Sequence, residues 1–208
     1  MPKIKRKDVG LSGKRSRELL PVFIAACEGE TEADILDQLR RRARRSVAQI
    51  ILVSSAGDPM KVTETAIARQ KQLRTQGIEV RHCFAVFDRD EHTRYESARR
   101  LARNNNVSLG ISNPCIELWM TWLVQAHTAS VSRQQAQRLC RTAHPGYDHD
   151  DNPYLPASSL TESNLTNARN RARSMAVRHE SAGDPPDSNP SSTFGDVVDA
   201  LLCMSEEN

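Results

Sequence analysis

The sequence predicts an α/β domain in which a mainly parallel sheet carries helices on both faces, followed by a C-terminal helical extension. Three observations predict it. Four short apolar runs alternate with segments of helical period between Val22 and His127. The runs are continuous rather than alternating, as in strands buried on both faces. Beyond His127 the strand signal stops, and helix-forming stretches are separated by loops rich in Pro, Ser and Asp. A length of 208 residues suits one ordinary domain, or one with a small appendage.

Met1 to Arg17 is basic and without periodicity, which predicts a flexible arm over residues 1–18. The core, 19–127, opens with an apolar strand at Val22 to Ala26 and a helix at Thr31 to Arg45. A second strand, Gln49 to Ser54, leads to a helix at Lys61 to Gln76. A third, Val80 to Phe87, leads to a helix at His92 to Asn104. A fourth, Val107 to Ile111, leads to a helix from Pro114 onward. Strands joined through helices in this rhythm imply right-handed crossovers and parallel pairing. The extension, 128–208, begins with a short helix near Ser132 to Thr142 and the loop "HPGYDHDDNPYLPASS". A basic helix near Leu160 to His179, the loop "SAGDPPDSNPSST" and a closing amphipathic helix "FGDVVDALLCM" complete it. There is no internal repeat.

Composition excludes several classes of function. No apolar run approaches the roughly 20 residues that a membrane helix needs, and the mean hydropathy is -0.58. The basic N-terminus is not followed by the apolar stretch of a secretory signal, so a cytoplasmic protein is expected. Five cysteines, scattered and never spaced as CxxC, argue against a disulfide framework and a zinc ribbon. Net charge is only +3, from 29 Lys+Arg and 26 Asp+Glu, but arginine is concentrated in "RSRELL", "LRRRARR" and "NARNRARSMAVRH". Such segregation suits a polyanionic substrate held near an acidic, cation-filled centre; a solvated helix face is the alternative for each run.

The acids fall where a parallel sheet binds ligands, outside the carboxyl ends of its strands. Glu28 follows the first strand, and "FAVFDRD" delivers Asp88 and Asp90 at the end of the third. Residues two apart in extended chain point to one side, so Asp88 and Asp90 can share a cation with Glu28. Oxygen ligands without nearby histidine or cysteine favour Mg2+ or Mn2+ over zinc. Glu30, Glu32 and Asp34 have a plainer reading: Gly29 makes the turn, Thr31 caps the next helix, and acids suit its first turn. Of the three, Glu32 is the further metal-ligand candidate. In "ISNPCIELW", Asn113 reads as an N-cap with Pro114 at the first helical position. Glu117 is then a carboxylate in a buried first turn, in need of a cation or an arginine.

Taken in this order, "ACEGETEADIL", "VFDRD" and "ISNPCIELWMTWLVQAH" resemble the RloB family, prokaryotic proteins with a Toprim-type domain associated with phage defence. "GYDHDDNPY", "NLTNARNRARSM" and "NPSSTFGDVVDALL" resemble the same family's later pattern, so the likeness covers about residues 20 to 205. The resemblance implies a Toprim, Rossmann-like sheet and magnesium-dependent phosphodiester chemistry related to that of Toprim nucleases of the overcoming-lysogenisation-defect type. It places the Toprim glutamate on Glu28, the Asp-x-Asp pair on Asp88 and Asp90, and the glutamate after Ser-Asn-Pro on Glu117. It also implies control by an ATPase partner of the ABC or SMC-like type. Relatives often carry a lysine after the Gly-Tyr of the late loop, whereas this chain reads Gly146, Tyr147, Asp148, His149. His149 is a weaker phosphate contact than an ammonium.

Other motifs are excluded or secondary. Cys140, His144 and His149 lack regular zinc spacing. No GxGxxG, Walker lysine loop or G-x-S-x-G occurs. Trp119 and Trp122 read as packing residues rather than base-stacking platforms. Arg169 and Arg173, four apart on the basic helix, are candidates for phosphate contacts. The expected function is a Mg2+-dependent nuclease acting on DNA or RNA in antiphage defence. The alternative is a catalytically silent Toprim module that binds nucleic acid or a partner protein. A topoisomerase is not indicated, because Tyr95, Tyr147 and Tyr154 lie in polar segments.

Overall fold

A computed structural model of the chain describes residues 20–42, 47–53, 58–89 and 93–206. The basic arm and Asp90 lie outside the described residues. Strands β1 (Val22–Cys27), β2 (Val47–Leu52), β3 (Val80–Asp88) and β4 (Ser108–Asn113) alternate with helices α1 (Glu30–Arg42), α2 (Pro59–Thr75), α3 (Tyr95–Asn104) and α4 (Ile116–Val124). Helices α5 (Arg133–Ala143) and α6 (Glu162–Ala182), a two-residue strand β5 (Ser191–Ser192) and α7 (Phe194–Glu206) follow. The strands form one sheet in the order β2-β1-β3-β4-β5, parallel except for the antiparallel β4–β5 pair. This is the expected Rossmann-like α/β architecture.

The strands show why their apolar runs are continuous. In β1, Phe23, Ala25 and Cys27 enter one apolar cluster while Val22, Ile24 and Ala26 enter another. Likewise, β3 sends Phe84 and Val86 to the first cluster and Cys83, Ala85 and Phe87 to the second. Period-two alternation buries both faces, so each residue must be apolar. The first cluster is closed by α1, α4, α5, α6 and α7, with Trp119 and Trp122 fully buried in it, and the second by α2 and α3. The two tryptophans are core residues, as expected.

Three local expectations are corrected. Helix α1 begins at Glu30, so Thr31 is a buried helical residue and not a cap. Asn113 does not cap α4: it closes β4 by pairing with Ser191 of β5, a tertiary pairing that keeps it extended, and Cys115 takes the N-cap position. The stretch "SAGDPPDSNPSST" is not all loop: it contains the two-residue β5, too short a strand to carry a periodic signal.

Candidate functional site

Where β1 and β3 end, the backbone delivers Glu28 and Asp88 to a common cavity of about 310 Å³. Glu32 reaches it from the first turn of α1, Glu117 from the first turn of α4, Arg133 from the start of α5, and His149 from the loop after α5. The structure thus brings four of the expected acids together and adds a cation. Glu32 is not an ordinary solvated helix-end acid: it is only 4% exposed, on the cavity side of its helix. Glu30 lines the rim of the same cavity and accepts the Tyr154 hydroxyl at 3.4 Å, whereas Asp34 accepts from the Gln38 amide at 2.7 Å.

The charges respond to this crowding. Burial, then repulsion from Glu117 and Glu28, pushes Glu32 up to about 7, against a favourable backbone hydrogen bond and the Arg133 guanidinium. Burial and Glu32 raise Asp88 well above the usual carboxylate range, although Arg133 opposes the shift. Arg133 Nη2 stands 3.0 Å from Asp88 Oδ2. Glu117 behaves oppositely. Burial would raise it, but hydrogen bonds from His149, Cys115, its own backbone and Tyr147 outweigh burial and lower it to about 2. The Tyr147 hydroxyl donates to Glu117 Oε1 at 2.9 Å, and His149 Nδ1 lies 2.7 Å from the same oxygen. That bond raises the imidazole above its ordinary value. At Oε1 the partner of Glu117 is therefore not an arginine but a histidine aided by a phenol.

The donor chemistry fits a hard divalent cation. All the acids offer oxygen only, and Asp88 Oδ1 and Glu117 Oε2 are buried without a hydrogen-bond partner. Such oxygens are costly in an apolar interior unless positive charge meets them. Among the described residues, no group of three or more His, Cys, Asp or Glu side chains stands ready to hold a metal ion. Asp90, the second acid of the expected pair, lies outside those residues.

Arg169 and Arg173 are not brought to this cavity. They line a separate one of about 520 Å³ between α6 and α7, where Arg169 is ion-paired with Asp199. In the late segment the two ring nitrogens of His144 engage Met120 O and Ser159 Oγ. Arg133 is the site residue that sequence reasoning missed. Its signal was present, since it follows the Ser132 N-cap directly, at the helix end where the dipole disfavours a cation.

A family model described as RloB-like protein matches residues 23–201. The chain belongs to the RloB family. No curated protein and no solved structure gives a significant match. The RloB match spans β1 to α7, so it covers every residue of the acidic cavity. No helix among the described residues is long and apolar enough to cross a membrane.

Proposed function

We propose that this RloB-like chain is a divalent-metal-dependent nuclease of the Toprim kind, serving antiphage defence under the control of an ABC or SMC-like ATPase. One observation carries the reading: Glu28, Glu32, Asp88 and Glu117 converge at the carboxyl ends of β1 and β3, with buried oxygens of Asp88 and Glu117 lacking partners. Glu28, Asp88 and Asp90 would hold Mg2+ or Mn2+, with Glu32 beside them and Glu117 Oε2 available to a second ion. A bound Mg2+ would supply charge neutralisation at the phosphate oxygens and a more acidic water.

The chain's own residues have distinct roles. Arg133 puts a guanidinium on the cavity wall, suited to a non-bridging phosphate oxygen. His149 commits Nδ1 to Glu117, which leaves Nε2 as its nitrogen for phosphate. Tyr147, buried and held as a neutral phenol, fixes the Glu117 carboxylate from the other side. No Walker loop is present in the sequence, which supports assigning ATP hydrolysis to a partner.

The test is cleavage of labelled plasmid DNA and total tRNA in Mg2+, Mn2+ or EDTA, by wild type, Asp88→Ala and Glu117→Ala, with and without the co-purified ATPase. Cutting that needs metal and falls to the EDTA background in Asp88→Ala is the expected result. Cutting that survives in Asp88→Ala would remove the mechanism. A silent binding module is the second reading, favoured by the Arg133–Asp88 ion pair, which neutralises one acid internally. It requires protection against phage to persist when Glu28, Asp88 and Glu117 are all replaced.

A further inference from the structure

The chain has two Trp, three Tyr and four Phe. Every one is buried except Tyr154, which is 49% exposed. Its ring is not on a loose loop. On one side Gln38 Nε2 of α1 donates to Leu155 O at 2.9 Å, and Arg42 Nη1 and Nη2 donate to Leu160 O and Ala157 O, both at 2.6 Å. On the other, Pro153 forms part of the wall of the acidic cavity. The Tyr154 hydroxyl reaches Glu30, which lines that same cavity. Tyr154 also lines a neighbouring open cavity of about 490 Å³ together with Arg41. The Arg41 side chain is 74% exposed, at the basic end of α1, where its Nη2 is ion-paired with Asp37 Oδ2 at 2.5 Å and the rest of the guanidinium faces outward.

A fixed aromatic face beside an exposed guanidinium, at the lip of an acidic cavity, is the arrangement that binds single-stranded nucleic acid: the ring stacks a base and the cation meets the adjoining phosphate. A paired base in a duplex keeps its faces inside the stack and cannot use such a platform without flipping. We infer that Tyr154 and Arg41 form a stacking and phosphate-binding subsite for an unpaired nucleotide next to the acidic cavity, so that the chain takes single-stranded or looped nucleic acid. The inference rests on the proposed nuclease reading for the direction in which the strand continues, but binding at Tyr154 stands on its own geometry. It also gives a role to the arginine run at the end of α1, which the acidic cavity does not use.

The experiment is fluorescence anisotropy of the full-length chain in EDTA with labelled oligouridine, oligothymidine and a duplex of matched length. Both single strands are expected to bind more tightly than the duplex. Tyr154→Ala should weaken single-strand binding about tenfold, and Tyr154→Phe should retain it, because the ring and not the hydroxyl stacks. Arg41→Ala should weaken binding and reduce the salt dependence by about one released counter-ion. Wild-type affinity in Tyr154→Ala, equal binding of duplex and single strands, or no binding at all would overturn the inference. Single-strand binding that depends on Tyr154 without metal-dependent cleavage would leave the subsite standing and remove the nuclease. Cleavage with binding indifferent to Tyr154 would do the reverse.

Discussion

A carboxylate that is 1% exposed on the second residue of a helix must meet its counter-charge nearby, and Glu117 meets it in His149. The two titrate in opposite directions. Glu117 is depressed from 4.5, so its contribution to stability is present above that value and lost as pH falls. His149 is raised above 6.5, so its contribution is complete below 6.5 and lost as pH rises through its folded value. The pair therefore stabilises most between 4.5 and 6.5. Replacing His149 by Ala should cost about 1–2 kcal/mol near pH 5.5, after allowing for screening of a half-exposed imidazole. His149→Lys should recover most of that loss, and urea denaturation of the three proteins measures it. The site acids Glu28, Asp88 and Glu117 were legible in the sequence because each stands where a strand ends or a buried helix begins. Which cations answer them was not legible: Arg133 stands out locally as a cation behind an N-cap and His149 as a candidate contact, but their pairing with Asp88 and Glu117 joins residues far apart in the chain.

At the scale of elements, strands and helices followed from periodicity, but their contacts show how closely they are fitted. Val197 of α7 lies over Gly110 of β4: a Cβ there would stand 2.5 Å from Val197 Cγ2 and 3.2 Å from Val86 Cγ2. Gly110 is thus set by close helix–sheet approach and not by backbone conformation. Gly110→Ala should cost about 1–3 kcal/mol through overpacking. The expected signature is a lower denaturation midpoint at unchanged m-value; an unchanged midpoint would mean that α7 moves away without cost. Asn113 shows the opposite lesson. Its sequence reads as a helix cap, yet pairing with β5 holds it in the sheet, because a ladder to residues far along the chain outweighs a local capping preference.

For the whole molecule, crowding of acids makes stability depend on pH. Glu32 is raised from 4.5 to about 7, and Asp88 also lies above its ordinary value. The folded chain then binds more protons than the unfolded chain between 4.5 and about 7. Stability in EDTA should fall as pH rises through that window, and the histidine shift adds to the same slope. Thermal unfolding in EDTA at pH 5.5 and pH 8 checks this: the melting temperature should be higher at pH 5.5, and Glu32→Gln should narrow the difference. Added Mg2+ should raise the melting temperature more at pH 8, where the acids are charged. A flat or reversed pH profile would contradict the electrostatics assigned to the cavity.

By itself the sequence determined the class of fold, the order of its elements and the strand ends that carry acids, because periodicity and chain punctuation act over a few residues. Packing in three dimensions is what puts Glu32 among those acids, sets Arg133 and His149 against them, takes Arg169 and Arg173 elsewhere, and leaves Tyr154 alone among the Phe, Trp and Tyr rings exposed. The physical reason is that burial and charge pairing depend on distance in space, and these partners come from separate elements whose proximity exists only once the sheet and its helices have packed.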